Sequence, residues 1–245
     1  MTLRVTKLHK NFKGIRAVSG LDFELYEGEI LGLMGPNGAG KTTLINLITG
    51  FYKPDLGNIQ WENRSINGLK PFQIVRIGIA RTFQQARVFQ NMSVEDNLFV
   101  SVTQESESNL FSAMSREERI DRILDFVEMK TSKATFARDL TQDDLRRLEI
   151  ARALCSDPKL LILDEPVSGL TPEECDSIMK IITKLNEMGL SLLIVEHVMR
   201  MLMRVSHRLL VISSGVKLCE GTPEEICRNP AVIEAYLGDG SYDFA

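Results

Sequence analysis

The chain has 245 residues, 44% of them hydrophobic and 25% charged, with a net charge of −4. That balance is ordinary for a globular protein, and the length allows one large domain or one domain with a subdomain. It gives no sign of a nucleic-acid glove or a strong membrane-surface field, and no apolar run approaches the roughly 18 residues that cross a bilayer.

The opening MTLRVTKLHK lacks the apolar core of a signal peptide, so a cytoplasmic location is expected. Any membrane role would then need partner subunits that supply the spanning helices. Leu21, Phe23 and Leu25 alternate with Asp22 and Glu24, the period of a half-exposed strand. Glu29 to Met34 is a strand of different character, almost wholly apolar. It runs into GPNGAGKTT, and KTTLINLITG follows as a helix stopped by Gly50. A further short strand is expected at Ile59 to Glu62, and with residues 21–25 it implies a small antiparallel sheet. Pro71 to Gly78 reads as a helix with proline in its first turn and glycine at its end.

Beyond this, Ile79 to Phe83 reads as a strand, and the region from about residue 86 to 150 reads as mostly helical. Ser93 with Asp96 and Ser115 with Glu118 have capping-box spacing, and Ile120, Ile123, Leu124 and Val127 fall at helical spacing. The serine-rich stretch from Ser101 to Ser112 reads as a loop. The second half alternates strand and helix. Strands are expected at Leu160–Leu163, Leu190–Val195 and Leu209–Ser213. Helices start at Thr171-Pro172 and Thr222-Pro223, each with a glutamate completing the box. Ile178, Ile181, Ile182 and Leu185 are the expected buried face of the first. Such alternation means a parallel sheet covered on both faces. Cys155, Cys175, Cys219 and Cys227 form no C-x-x-C pair and read as reduced structural thiols.

Chemistry concentrates in four places. Gly35, Gly40, Lys41 and Thr42 fit G-x-x-x-x-G-K-[ST], the phosphate-binding loop of nucleoside triphosphatases. Within Gly35, Pro36, Asn37, Gly38, Ala39, Gly40, Lys41, Thr42 and Thr43, glycines let successive N–H groups point inward around phosphate oxygens. The following helix adds its positive end. Lys41 reaches the β- and γ-phosphates, and the Thr42 hydroxyl is placed to hold Mg²⁺. In LLILDEP an apolar strand ends in Asp164, which can hold Mg²⁺ through water; Glu165 is placed to orient or deprotonate an attacking water. In SLLIVEH, His197 follows a parallel strand at the edge where α/β ligands bind, so it could contact the γ-phosphate or align the water. His9 and His207 read as structural. Gln84, in RTFQQ, follows a strand and could coordinate Mg²⁺ or water and report nucleotide state to the helical segment.

The order GPNGAGKTT, Gln84, a helical insert, LTQDDLRRLEIARAL, LLILDEP and IVEH resembles the ATP-binding-cassette (ABC) ATPases over nearly the whole chain. GIARTFQQARVFQNMSVEDNL, RRLEIARAL and the tail GTPEEICRNPAVIEAYLG look like the subgroup that powers branched-chain amino acid import. The resemblance implies an α/β fold: a P-loop mixed sheet, an antiparallel β subdomain and an inserted α-helical subdomain. The implied plan is a single domain over 1–245, with 1–85 and 151–245 as nucleotide-binding core and 86–150 as helical subdomain. Phe12 would stack on adenine. Gln84 would be the Q-loop glutamine, Asp164 the Walker B aspartate, Glu165 the general base and His197 the switch histidine. The implied cofactors are ATP and Mg²⁺. The implied partners are transmembrane permease subunits, docking around Phe83 to Phe99, and a second cassette in a homodimer or heterodimer. No direct contact with the cargo is implied. The location would be cytoplasmic, peripheral on the inner membrane face. Lipopolysaccharide or urea are other cargoes compatible with the resemblance.

One motif departs from the family. Its LSGGQ-type signature caps the γ-phosphate held by the opposite cassette, and here it reads Leu140, Thr141, Gln142, Asp143, Asp144. Thr141 can replace the serine hydroxyl. Asp143 stands where glycine is normal, adding a β-carbon and a charge whose repulsion is on the order of 4 kcal/mol at ~4 Å. A weak or inactive signature is therefore expected, and with it a second reading: an ATP-binding subunit with little turnover.

Overall fold

In a computed structural model, residues 3–102 and 115–237 are described. In chain order these are β1 Leu3–Phe12, β2 Ile15–Leu25, β3 Ile30–Met34, α1 Lys41–Ile48, β4 Leu56–Trp61, β5 Arg64–Ser65, α2 Pro71–Arg76 and β6 Ile79–Arg81. Next come α3 Val94–Phe99, α4 Arg116–Phe126, a 3₁₀ turn Ala137–Asp139, α5 Gln142–Leu154, β7 Leu160–Asp164 and α6 Pro172–Glu187. The last are β8 Ser191–Val195, α7 Met199–Val205, β9 Arg208–Ser213, β10 Val216–Gly221, α8 Pro223–Cys227 and α9 Pro230–Leu237. They divide between two compact units, Met1–Ile74 with Ser191–Ala245, and Val75–Leu190.

The first unit contains two sheets. One is antiparallel in the order β2-β1-β4-β5, with Leu3 opposite Leu25 on one side and Trp61 on the other. Its alternation buries Leu21, Phe23 and Leu25. The other places β3 between β8 and β9 in parallel, with β10 antiparallel to β9. Strands β3 and β8 are buried at every position, and β9 at all but its two ends, because both faces are covered. Leu31, Leu33, Ile45, Ile48, Leu192 and Leu210 are fully buried there. At the amino ends of these strands Arg208 forms a brace. Its Nε lies 2.8 Å from Glu29 Oε1, Nη1 2.5 Å from Glu220 Oε1, and Nη2 donates to the Glu24 carbonyl at 2.6 Å.

In the second unit β6 and β7 pair in parallel, Ala80 opposite Leu161. Helix α6 buries Ile178, Ile181, Ile182 and Leu185 along one face, as its spacing requires. Helix α5 packs against α3, α4 and β6. The three capping boxes anticipated in this unit form, at Ser93, Ser115 and Thr171. The expectation of a mostly helical 86–150 is met only in part. Among the described residues, helix there is confined to α3, α4, the 3₁₀ turn and α5. Residues 82–92 are irregular because side chains satisfy their main chain. Fully buried Asn97 accepts from Phe89 N at 2.8 Å and donates to the carbonyls of Phe89 and Ser93 at 3.0 and 2.9 Å. Most of the loop expected at Ser101–Ser112 lies outside the described residues.

Candidate functional site

The first unit carries the phosphate-binding loop and His197. The loop leaves β3 after Met34 and enters α1 at Lys41. Two glycines are sterically enforced. A β-carbon on Gly35 would sit 2.1 Å from the Ile212 carbonyl oxygen. One on Gly40 would sit 2.3 Å from that of Ala17, at a φ of +104° that side chains resist. Gly40 caps α1 without a side-chain bond, and the first turn holds no acid. Helices α3, α4, α5, α6 and α8 instead all open on a serine or threonine cap with acids in the first turn. The start of α1 thus suits an anion from outside the helix. Lys41 is buried, and its Nζ donates back to the carbonyls of Gly35 and, at 3.1 Å, Pro36. The ammonium therefore sits within the loop. Asn37, Gly38 and Thr42 are exposed, Pro36 and Thr43 half-buried, and Ala39 buried.

Because β3 and β8 are parallel neighbours, with Leu33 opposite Val195, His197 emerges at the same sheet edge as the loop. Its backbone N–H donates to Glu196 Oε2 at 3.3 Å, and its ring is 40% exposed. His207 is structural, as expected: Nδ1 accepts from Ile30 N at 3.0 Å. Phe12, which alone would pass for a buried strand residue, is 37% exposed. Its ring meets Tyr52 edge-on at 5.1 Å between centroids, and the Lys10 ammonium lies 5.4 Å from its centroid.

The second unit brings Gln84, Asp164 and Glu165 together, at the carboxyl ends of β6 and β7. Gln84 Nε2 donates to Glu165 Oε2 at 2.9 Å. Glu165 has a φ of +52°, a left-handed conformation uncommon for a residue with a side chain. Asp164 Oδ2 lies 3.0 Å from Arg81 Nη2, both side chains 7% exposed. Burial pulls the Arg81 pKa down, against the pull of Asp164. The spacing gave no notice of Arg81; a basic residue on the strand beside an acid-ending strand was the signal.

Thr141 stands at the N-cap of α5, its hydroxyl accepting from Asp144 N at 3.2 Å. The acids behind it are turned inward. Asp143 Oδ2 lies 2.7 Å from Arg147 Nε, and Asp144 Oδ2 accepts from Thr131 Oγ1 at 2.6 Å. The outward repulsion expected of Asp143 is thus largely neutralised by Arg147, while its β-carbon remains.

Residues 18–168 match the family model described as ABC transporter. The chain belongs to the ABC transporter ATP-binding family. Residues 216–242 match a second model, described as branched-chain amino acid ATP-binding cassette transporter. The chain is 42% identical over 249 residues to a high-affinity branched-chain amino acid transport ATP-binding protein, LivG of Salmonella typhimurium, covering 97% of this chain and 98% of that one. Among solved structures, a nucleotide-free ATP-binding cassette from an ABC transporter superposes with a TM-score of 0.86 at 31% identity, over 96% of this chain and 98% of the other. A dimeric post-hydrolysis state of the cassette MJ0796 bound to ADP and Pi gives 0.78 at 26%, over 90% and 98%. This ABC chain is accordingly a nucleotide-binding ATPase cassette of α/β P-loop fold. No helix among its described residues is long and apolar enough to cross a membrane.

Proposed function

We propose that this cassette hydrolyses ATP to power uptake of branched-chain or similar hydrophobic amino acids, on the cytoplasmic face of the membrane and bound to transmembrane permease subunits. The observation that carries the site chemistry is the start of α1: a helix end without a side-chain cap or acid, ringed by glycine backbone, with Lys41 folded inside. The cargo rests on likeness to LivG and on the match over residues 216–242.

In this reading the amides from Gly35 to Thr43 and the Lys41 ammonium bind the phosphates, and Phe12 stacks on the adenine. Thr42, Asp164 and Gln84 would hold Mg²⁺. Their oxygens are hard donors, and the phosphates complete the ligand set. Magnesium, when bound, neutralises charge on the phosphate oxygens. Glu165 takes the proton of the attacking water, and His197 holds the γ-phosphate or aligns that water. Thr141 would face the γ-phosphate of a second cassette. Closure of the two around ATP would shift the permease between its two states.

Asp143 favours one variant of this reading. With a β-carbon at the signature, this chain's contribution in trans is weak, which fits a heterodimer with a cassette whose signature is intact. The test is reconstitution with branched-chain amino acid permease subunits, followed by uptake of labelled leucine into vesicles loaded with ATP. ATP-dependent uptake that vanishes with Glu165→Gln is expected. Vigorous hydrolysis without uptake of leucine, isoleucine or valine would overturn the cargo.

A further inference from the structure

Residues Phe83 to Arg87 belong to no helix or strand, so no ladder fixes their polar main-chain groups. Two side chains from α5 do so instead. Arg146 donates from Nη1 to the Phe83 carbonyl at 3.2 Å and from Nη2 to the Gln84 carbonyl at 2.8 Å. Glu149 Oε1 accepts from Phe83 N at 3.1 Å and from Arg87 N at 3.4 Å. The two side chains pair with each other at 3.3 Å and are 5% and 6% exposed. Arg146 Nη2 also reaches the Ser168 carbonyl at 3.5 Å, three residues beyond Glu165. One guanidinium therefore touches the loop that carries Gln84 and the loop that carries Glu165.

We propose that the Arg146–Glu149 pair is a positioning clamp for the hydrolysis reaction. It sets the loop from which Gln84 reaches Glu165 and ties that loop to the signature helix. The inference rests on the proposed roles of Gln84 and Glu165. Stability alone does not account for the pair. Buried ion pairs seldom outperform apolar residues of similar volume, and Arg146 Nε is buried with no hydrogen-bond partner. What an apolar pair could not supply is direction at four named main-chain atoms. Burial raises the pKa of Glu149, against the pull of Arg146 and the two amides. Phe83 adds to the rigidity, its ring near the guanidinium groups of Arg81 at 4.5 Å and Arg87 at 4.3 Å.

The test is a double-mutant cycle in the full chain. Arg146→Lys keeps the charge and loses the fork; Glu149→Gln keeps an acceptor and loses the charge. Each should leave ATP affinity within about twofold and lower kcat about tenfold, as small misplacements of reacting groups do. Amide exchange should quicken at residues 83–87 and stay unchanged in α6. In a Gln84→Ala background neither should lower kcat further. Equal losses with and without Gln84, or unchanged exchange at 83–87, overturn the clamp. So does wild-type kcat in both single variants while Gln84→Ala is slow. If Gln84→Ala itself turns over normally, the reading of Gln84 fails first, and this inference falls with it.

Discussion

Gln84 Nε2 donates a hydrogen bond to Glu165 Oε2 over 2.9 Å, so the proposed base is engaged by the residue that would sense the nucleotide. The bond fixes one carboxylate oxygen and leaves Oε1 able to accept from water. Glu165→Gln should leave ATP binding intact and slow phosphate release by about 10²–10⁴-fold, the usual worth of a positioned base. Undiminished turnover in a single-turnover assay would show that another group takes the proton.

Lys41 is the second point of pressure. Lys41→Ala removes a charge-assisted phosphate contact worth roughly 1.5–3 kcal/mol, or about 10–150-fold in Kd. Equilibrium binding of a fluorescent ATP analogue measures this directly. An unchanged Kd would mean that the ammonium does not reach phosphate.

Asp143→Gly separates two effects. Arg147 would lose its 2.7 Å carboxylate partner while keeping the Val127 carbonyl and the Ser177 hydroxyl, so stability should fall by about 1–3 kcal/mol. ATPase should nevertheless rise, because the signature main chain can then approach phosphate. A lower melting temperature with unaltered turnover would show that the β-carbon at 143 was never an obstacle.

Cys155 offers a check on the core. Its side chain is fully buried and its pKa is pushed up to about 12, chiefly by desolvation. At pH 8 its thiolate fraction is then on the order of 10⁻⁴. Maleimide should label the half-buried Cys175, Cys219 and Cys227 in the native protein and spare Cys155. Labelling of Cys155 should require unfolding, read by mass spectrometry.

Most of the parallel core was legible because its signals are local. Unbroken apolar runs gave β3, β7, β8 and β9, and Thr-Pro-x-Glu gave the starts of α6 and α8. Strand β1 was hidden: its pairing is broken by three register shifts and Lys7 has a φ of +44°, so its side chains never alternate cleanly. Helix α7 opens without a side-chain cap, which removed its start signal. At the site, motif spacing pointed to Lys41, Asp164, Glu165 and His197, and the family resemblance to Gln84. It missed Arg81, Arg146 and Glu149, whose contacts to the site run to groups about 60 to 80 positions away, and it missed the inward turn of Asp143.

The Arg208 brace lies where β3 and β9 begin, the Lys41 loop where β3 ends. Endurance and chemistry are thus written on opposite rims of one sheet. Substituting Arg208 should produce a heat-labile protein whose appetite for nucleotide is untouched at low temperature, and evolution can retune either rim without disturbing the other.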